Sequence, residues 1–302
     1  MHKPSQVIPS LCEGYVLSKG TKSYSFKDTI LYALGVGASQ DSTDPEDLKY
    51  TYENSEDFSV LPGYATVIPD LFTNFMSLED CPGMPEFNVM RLLHGEQKIT
   101  IHKPLPANAT VEQTAFIKSV SDKKSGALVV LEIATYDAED HSPICNNQTS
   151  LFIRGIGGFG GTKSSNQENI KFPNRPADFT YTKLTTSDQA LIYRLSGDYN
   201  PLHVDPNMAA MGGFTRPILH GLCFYGIAIH GIVKLACNNK PEAVKEISAR
   251  FSSTVTPGDT ISTEMWKMNS NTIYFKTTNM NSSKVCISNG VAIINYQSFS
   301  KM

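Results

Sequence analysis

Two stretches of alternating apolar and polar residues, ALVVLEIATYD at 127–137 and NTIYFKTTNM at 271–280, are the clearest pattern in this chain. A period of two puts one side of a segment on a core and the other in solvent, so both stretches predict strands. A further strand-like run follows each of them, QTSLFIRG and GVAIINYQ. Each is preceded by a proline, a small-residue turn and another strand, in KPLPANATVE at 103–112 and STVTPGDTIS at 253–262. Earlier markers pair as well: YALGVG at 32–37 with YRLSGD at 193–198, and LLHGEQ at 92–97 with ILHGLC at 218–223. The same order of pieces occurring twice predicts a diverged internal duplication. The first copy carries extra residues, DSTDPEDLKYTYENSEDFSVLPGYATVIP, an insertion expected to reshape a cleft.

Neither half shows the strand–helix alternation of a parallel α/β sheet. The expected class is α+β, each half an antiparallel sheet wrapped on one helix. The expected division is 1–154, a linker over 155–176, and 177–302. The linker, GIGGFGGTKSSNQENIKFPNRP, is rich in Gly, Ser, Asn and Pro. Gly155, Gly157 and Gly160 in it satisfy G-x-G-x-x-G after a strand-like TSLFIR. A dinucleotide site needs an amphipathic helix next, and TKSSNQENIKFP has no apolar face.

SDQALIYRLSGDYNPLH, 187–203, reads as a helix running into a structured loop. Ser187 is the expected N-cap, Leu191, Ile192 and Leu195 the apolar face, and Gly197 the terminator. Asp198, Asn200, Pro201 and His203 follow, and Pro201 stiffens the loop through its own φ and its restraint on Asn200. A stiff loop holding a carboxylate and an imidazole suits moving a proton on and off water. The same residues also suit an Asx-turn beside a packed histidine. In GGFTRPILHGLCFYGIAIHGIV, Pro217 suits a first helical turn and the apolar run reads as a buried helix. Gly221 near its start offers a backbone N–H to a carbonyl oxygen, or merely close helix packing. His220 is expected to anchor a loop, and His230 to be a hydrogen-bonded core residue.

The bulk properties narrow the classes. The chain has 302 residues, 40% hydrophobic and 18% charged, with a formal charge of −3, which suits two ordinary globular halves and not a nucleic-acid binder. Lys123 and Lys124 are the candidates for a local phosphate contact, although a solvated turn explains them too. Cys12, Cys81, Cys145, Cys223, Cys237 and Cys286 show no paired or metal-ligand spacing and read as core residues in a reducing compartment. The N-x-[ST] sequons at Asn108, Asn147 and Asn281 read as chance matches, because the start of the chain lacks an apolar signal region. The longest apolar run, at 222–233, is too short to span a bilayer, so no membrane insertion is expected. Ser300-Lys301-Met302 is similar to the S-K-L address read by the peroxisomal import receptor.

GDYNPLH followed by PILHGLC resembles the signature of the hydratase 2 family, the (R)-specific 2-enoyl-CoA hydratases of the MaoC-like hot-dog superfamily. The likeness runs through YALGVGA, the DF-x-x-LP segment, LLHGEQ, GGFGG and the C-terminal half, as in the hydratase portion of peroxisomal multifunctional enzymes. It implies two tandem hot-dog folds forming a pseudo-dimer. Asp198 and His203 match the family's acid/base dyad, Asn200 its supporting residue, and Gly221 the donor to the thioester carbonyl. Tyr199, Pro201 and Leu202 fall in the same substrate-contacting loop, although position 199 varies in the family. His94 and Gly95 match positions touching the acyl-CoA, Lys123 a position near its phosphates, and Phe251 one that packs on the ligand.

The resemblance implies reversible hydration of a trans-2-enoyl-CoA to the (3R)-3-hydroxyacyl-CoA in peroxisomal β-oxidation, with one site per chain. The first half has no carboxylate or downstream histidine at the matching place, Val36-Gly37-Ala38. No metal or redox cofactor is implied. Expected partners are the acyl-CoA substrate, the peroxisomal import receptor and a second copy in a homodimer. The rivals are a hot-dog thioesterase, a dehydratase of fatty-acid synthesis, and a non-catalytic acyl-CoA-binding protein. Which dyad member is the base stays open at this level.

Overall fold

The computed structural model describes residues 3–41, 44–161 and 169–295; Ser300, Lys301 and Met302 fall outside that set. Ten strands form one antiparallel sheet. They are β1 (Val16–Tyr24), β2 (Leu92–Ile101), β3 (Ala109–Asp122), β4 (Gly126–Asp137), β5 (Pro143–Arg154), β6 (Phe179–Leu184), β7 (Val244–Phe251), β8 (Thr260–Lys267), β9 (Thr272–Asn279) and β10 (Lys284–Ile294). Their spatial order is β1-β3-β4-β5-β2-β7-β10-β9-β8-β6. Reading outward from the centre, the two halves repeat the same order, which is the α+β tandem hot-dog arrangement expected. The halves meet where β2 pairs with β7, with Glu96 opposite Arg250 and Thr100 opposite Glu246. Arg250 donates from Nε and Nη2 to Glu96 Oε1 at 2.9 and 2.7 Å, and Lys98 pairs with Glu246 at 2.8 Å.

One element of the internal match is corrected by this register. LLHGEQ opens strand β2, whose counterpart is β7, so its likeness to ILHGLC is a likeness of letters and not of place. The other pairs agree with the topology, β3 with β8, β4 with β9 and β5 with β10.

The helices are short, apart from two. They are α1 (Pro9–Cys12), α2 (Phe26–Gly35), α3 (Leu48–Thr51), α4 (Leu71–Met76), α5 (Gln189–Tyr193), α6 (Pro206–Met211) and α7 (Gly221–Gly231). Every residue of α7 from Leu222 to Gly231 is buried, as expected of a helix apolar all round. Helix α2 presses on it through Gly226, where a Cβ would lie 2.6 Å from both Tyr32 Oη and Val36 Cγ1. The matched tyrosines of the two copies, Tyr32 and Tyr193, pack on each other with ring centroids 6.1 Å apart. The dyad loop is thus propped by the first half.

Three local expectations shift. The N-cap position of α5 falls on Asp188 and not Ser187, with no side-chain capping bond, and α7 begins at Gly221, leaving Pro217 in the preceding loop. Leu191 and Leu195 are exposed, because so short a helix buries Ala190 and Tyr193 instead. All six cysteines are free and buried, and the sequon residue Asn147 is wholly buried. Gly158 and Gly160 donate their N–H groups to the Asp122 carboxylate at 2.9 and 2.7 Å, so the glycine loop clasps the β3–β4 turn. No helix among the described residues is long and apolar enough to cross a membrane.

His230 is the hydrogen-bonded core residue expected. Its Nε2 meets Asp47 Oδ1 at 3.0 Å and its Nδ1 faces Tyr181 Oη at 3.4 Å. Asp47 also accepts from Ser39 N at 2.9 Å and from Lys234 Nζ at 3.2 Å. This network bolts the inserted segment to α7. Burial alone would raise the Asp47 carboxyl, but His230, the Ser39 N–H and Lys234 outweigh it and hold the group below its ordinary value. A carboxyl so depressed stabilises the fold fully above about pH 4 and ceases to as pH falls through its folded value. Asp47→Ala should therefore cost about 3 kcal/mol at neutral pH and flatten the acid branch of stability. Urea unfolding at neutral and acidic pH measures both.

Candidate active site

The segment after α5 is built to hold side chains still. A 3-10 turn, Arg194–Ser196, ends at Gly197, whose φ of +135° lies outside the range comfortable for other residues. Asp198 follows, and its Oδ1 accepts the Asn200 N–H at 3.2 Å. The Asn200 side chain in turn accepts from Leu202 N at 3.1 Å and caps a second 3-10 turn, Pro201–His203. The five-residue spacing thus places Asp198 and His203 on neighbouring turns facing one cavity.

His203 Nδ1 lies 2.8 Å from the carbonyl oxygen of Ile218. A carbonyl only accepts, so the neutral ring carries its proton on Nδ1 and keeps a bare lone pair on Nε2. Burial pushes His203 below the ordinary histidine range, against the attraction of Asp198. Burial pushes Asp198 above the ordinary carboxyl range, with His203 and the Asn200 N–H opposing and Asp70 assisting. Both members are driven toward their uncharged forms, which readies them to exchange a proton.

His220 stacks on His203 with centroids 3.7 Å apart and planes 27° from parallel. Its Nε2 lies 3.2 Å from the Asp198 carbonyl oxygen, the loop-anchoring role expected of it. Burial pushes it down to about 2, so the ring is neutral. Ligand atoms of Asp198, His203 and His220 fall within 4.8 Å of one another, a set that suits a metal by residue type. The stack does not suit one, because nearly parallel rings aim their lone pairs along separate planes.

Gly221 is the first residue of α7, where an N–H has no partner within the helix. The helix dipole adds partial positive charge there. Phe251 packs across it, 3.5 Å from where a Cβ would stand. The Phe251 ring also meets His94 edge-on at 5.0 Å, and Phe75 meets the other side of His94 at 5.9 Å. Burial pushes His94 down to about 4, and its Nε2 is 3.1 Å from Gln97 Oε1. Gly95 sits where the β2–β5 register shifts.

These groups line one cavity of about 960 Å³. Asp198, Asn200, Leu202, His203, Gly221, His94, Gly95 and Phe251 all reach its wall. Tyr199 and Pro201 do not; Tyr199 is exposed, with the Arg194 guanidinium 5.0 Å over its ring. Lys123 is likewise off the wall, at the turn between β3 and β4. The cations that do line the cavity are Arg91 and Arg154, both exposed at its rim with Ser252 and Thr254. Neither arginine was singled out by pattern. They come together because Leu92 pairs with Ile153 across β2 and β5. Thr66, Val67 and Pro69 of the inserted segment also line the cavity, so the insertion contributes directly to the cleft.

Residues 23–155 match the family described as the MFE-2 hydratase 2 N-terminal domain, and residues 168–289 match the MaoC-like domain. A probable enoyl-CoA hydratase 2 of Dictyostelium discoideum is 43% identical over 270 residues, covering 89% of this chain and 90% of that one. The peroxisomal multifunctional enzyme type 2 of Mus musculus is 40% identical over 95% of this chain, which spans 40% of the mouse protein's length. The crystal structure of a MaoC-like dehydratase from Phytophthora capsici superposes with a TM-score of 0.85 at 33% identity, over 94% of this chain and 96% of that one. With its sheet, its paired halves and its sequence all in agreement, the chain belongs to the hydratase 2 family of MaoC-like double hot-dog proteins.

Proposed function

We propose that this protein is an (R)-specific enoyl-CoA hydratase, adding water reversibly across the double bond of a trans-2-enoyl-CoA to give the (3R)-3-hydroxyacyl-CoA. The observation that carries the reading is the pairing of His203, its Nε2 left unprotonated, with Asp198 on the wall of a cavity that Gly221, the first residue of α7, also lines. Water bound between the pair gives a proton to His203 Nε2 as its oxygen attacks C3. The electron pair of the double bond moves onto the thioester oxygen, where the Gly221 N–H receives the charge. Asp198, uncharged at the start, delivers its proton to C2, and the His203 imidazolium then returns a proton to the carboxylate. Atoms balance with no electron transferred to or from the enzyme, so the reaction calls for neither metal nor redox cofactor. The R configuration rests on family kinship, and a peroxisomal setting on the names of relatives such as the mouse enzyme.

Arg91 and Arg154 suit the phosphates of coenzyme A, since guanidinium forks bind phosphate oxygens in pairs. The test follows the conjugated-thioester absorbance of trans-2-decenoyl-CoA and then resolves the product's chirality. Loss of absorbance to the (3R)-alcohol supports the reading, whereas release of free coenzyme A makes the protein a thioesterase. The double variant Arg91→Ala/Arg154→Ala should raise KM for the CoA thioester on the order of tenfold, about one guanidinium–phosphate bond. It should leave KM for the matching pantetheine thioester unchanged.

A further inference from the structure

His220 does not reach the cavity wall, yet it touches both halves of the catalytic apparatus. Its own carbonyl accepts from Cys223 N at 3.1 Å and Phe224 N at 3.4 Å, so its backbone is continuous with the start of α7. The preceding residue is fixed too, Leu219 N donating to Val255 O at 2.8 Å. From this platform the ring extends back to the Asp198 carbonyl. Because that oxygen only accepts, His220 Nε2 must carry the proton. Its Nδ1 is buried and without a hydrogen-bond partner among the described residues, so that nitrogen bears a lone pair and not a second, unpaired N–H.

The contact matters because of what surrounds Asp198. Upstream is Gly197, which imposes little restraint on the peptide that follows it. Among the described residues, the Asp198 side chain accepts one hydrogen bond, the Asn200 N–H at 3.2 Å. The His220 imidazole is, among the described residues, the hydrogen-bond partner of the Asp198 carbonyl. We propose that His220 is a positioning residue, a neutral Nε2–H imidazole that locks the Asp198 peptide in place and so ties the proton-transfer pair to the helix start carrying Gly221. The charged and titratable groups facing it are Asp198, His203, Tyr193 at 5.0 Å and Arg194, with Asp70 acting on Asp198 from behind.

This inference rests on the hydratase reading above for its kinetic test, and on the free protein for its spectroscopic one. His220→Gln retains an amide N–H at the position of Nε2 while removing the ring. His220→Phe retains a flat ring on His203 while removing the donor. If donation is the function, the glutamine variant stays close to wild type. The phenylalanine variant should then lose kcat on the order of 10²-fold, the effect of a displacement near 1 Å, with KM unchanged. A phenylalanine variant as active as wild type, or a glutamine variant as damaged as the phenylalanine one, overturns the proposal. Should either variant fail to fold, nitrogen-15 NMR of wild-type histidines decides: His220 as the Nε2–H tautomer supports the lock, and the Nδ1–H tautomer overturns it. Wild-type protein that shows this tautomer but hydrates no enoyl-CoA would refute the function and leave the contact standing.

Discussion

Asp198→Asn should lower the rate of hydration about 10³-fold or more, while the protein folds and binds substrate. The substitution is nearly isosteric, and the amide oxygen can still accept the Asn200 N–H that holds the side chain now. What disappears is a group able to carry negative charge beside His203 and to share its proton. Positioned acid/base groups contribute roughly 10²–10⁴-fold, and in the proposed mechanism the two act on one water, so losing either disables both. Single-turnover absorbance decay of trans-2-decenoyl-CoA measures the effect, and a thermal melt shows that the fold is intact. A variant retaining a tenth of wild-type kcat would remove Asp198 from the mechanism.

Gly221→Pro should lower kcat by roughly 10²–10³-fold, about 3–4 kcal/mol, the loss of one donor to a developing oxyanion. Proline normally breaks a helix, but not at this position. Gly221 is the first helical residue of α7, where the missing N–H costs no helix bond and the ring's fixed φ is already helical. His220 before it has φ −55° and ψ 135°, an extended conformation that tolerates a following proline. The variant therefore deletes the N–H without breaking the helix. Gly221→Ala is the control, since it keeps the N–H and its Cβ would meet Phe251 at 3.5 Å, an ordinary contact. An alanine variant close to wild type beside a crippled proline variant isolates the backbone donor. Equal losses in both would mean that Gly221 serves packing alone.

Much of this site was legible because its chemistry is local. Asp198 and His203 lie in one stiff loop, and the residues that stiffen it, Asn200 and Pro201, lie between them. The placement of Gly221 at a helix start was also within reach, although Pro217 pointed four residues too early. What escaped pattern depends on pairing across the chain. Arg91 and Arg154 are remote in sequence and meet only through the β2–β5 register. LLHG and ILHG share letters, yet one opens a strand and the other a helix, and only their partners distinguish them. Leu191 and Leu195 have helical spacing without burial, since a five-residue helix offers one narrow contact and Ala190 with Tyr193 takes it.

The joining of β2 to β7 has a consequence for heredity. Where two identical subunits meet across such a seam, symmetry applies every substitution twice, so neither copy can specialise without the other. Here both sides of the seam belong to one polypeptide. A change in the inserted segment widens one wall of the cleft and leaves its mirror image untouched. One half can thus change by substitution or insertion while the other keeps its sequence, a freedom that two identical subunits do not have.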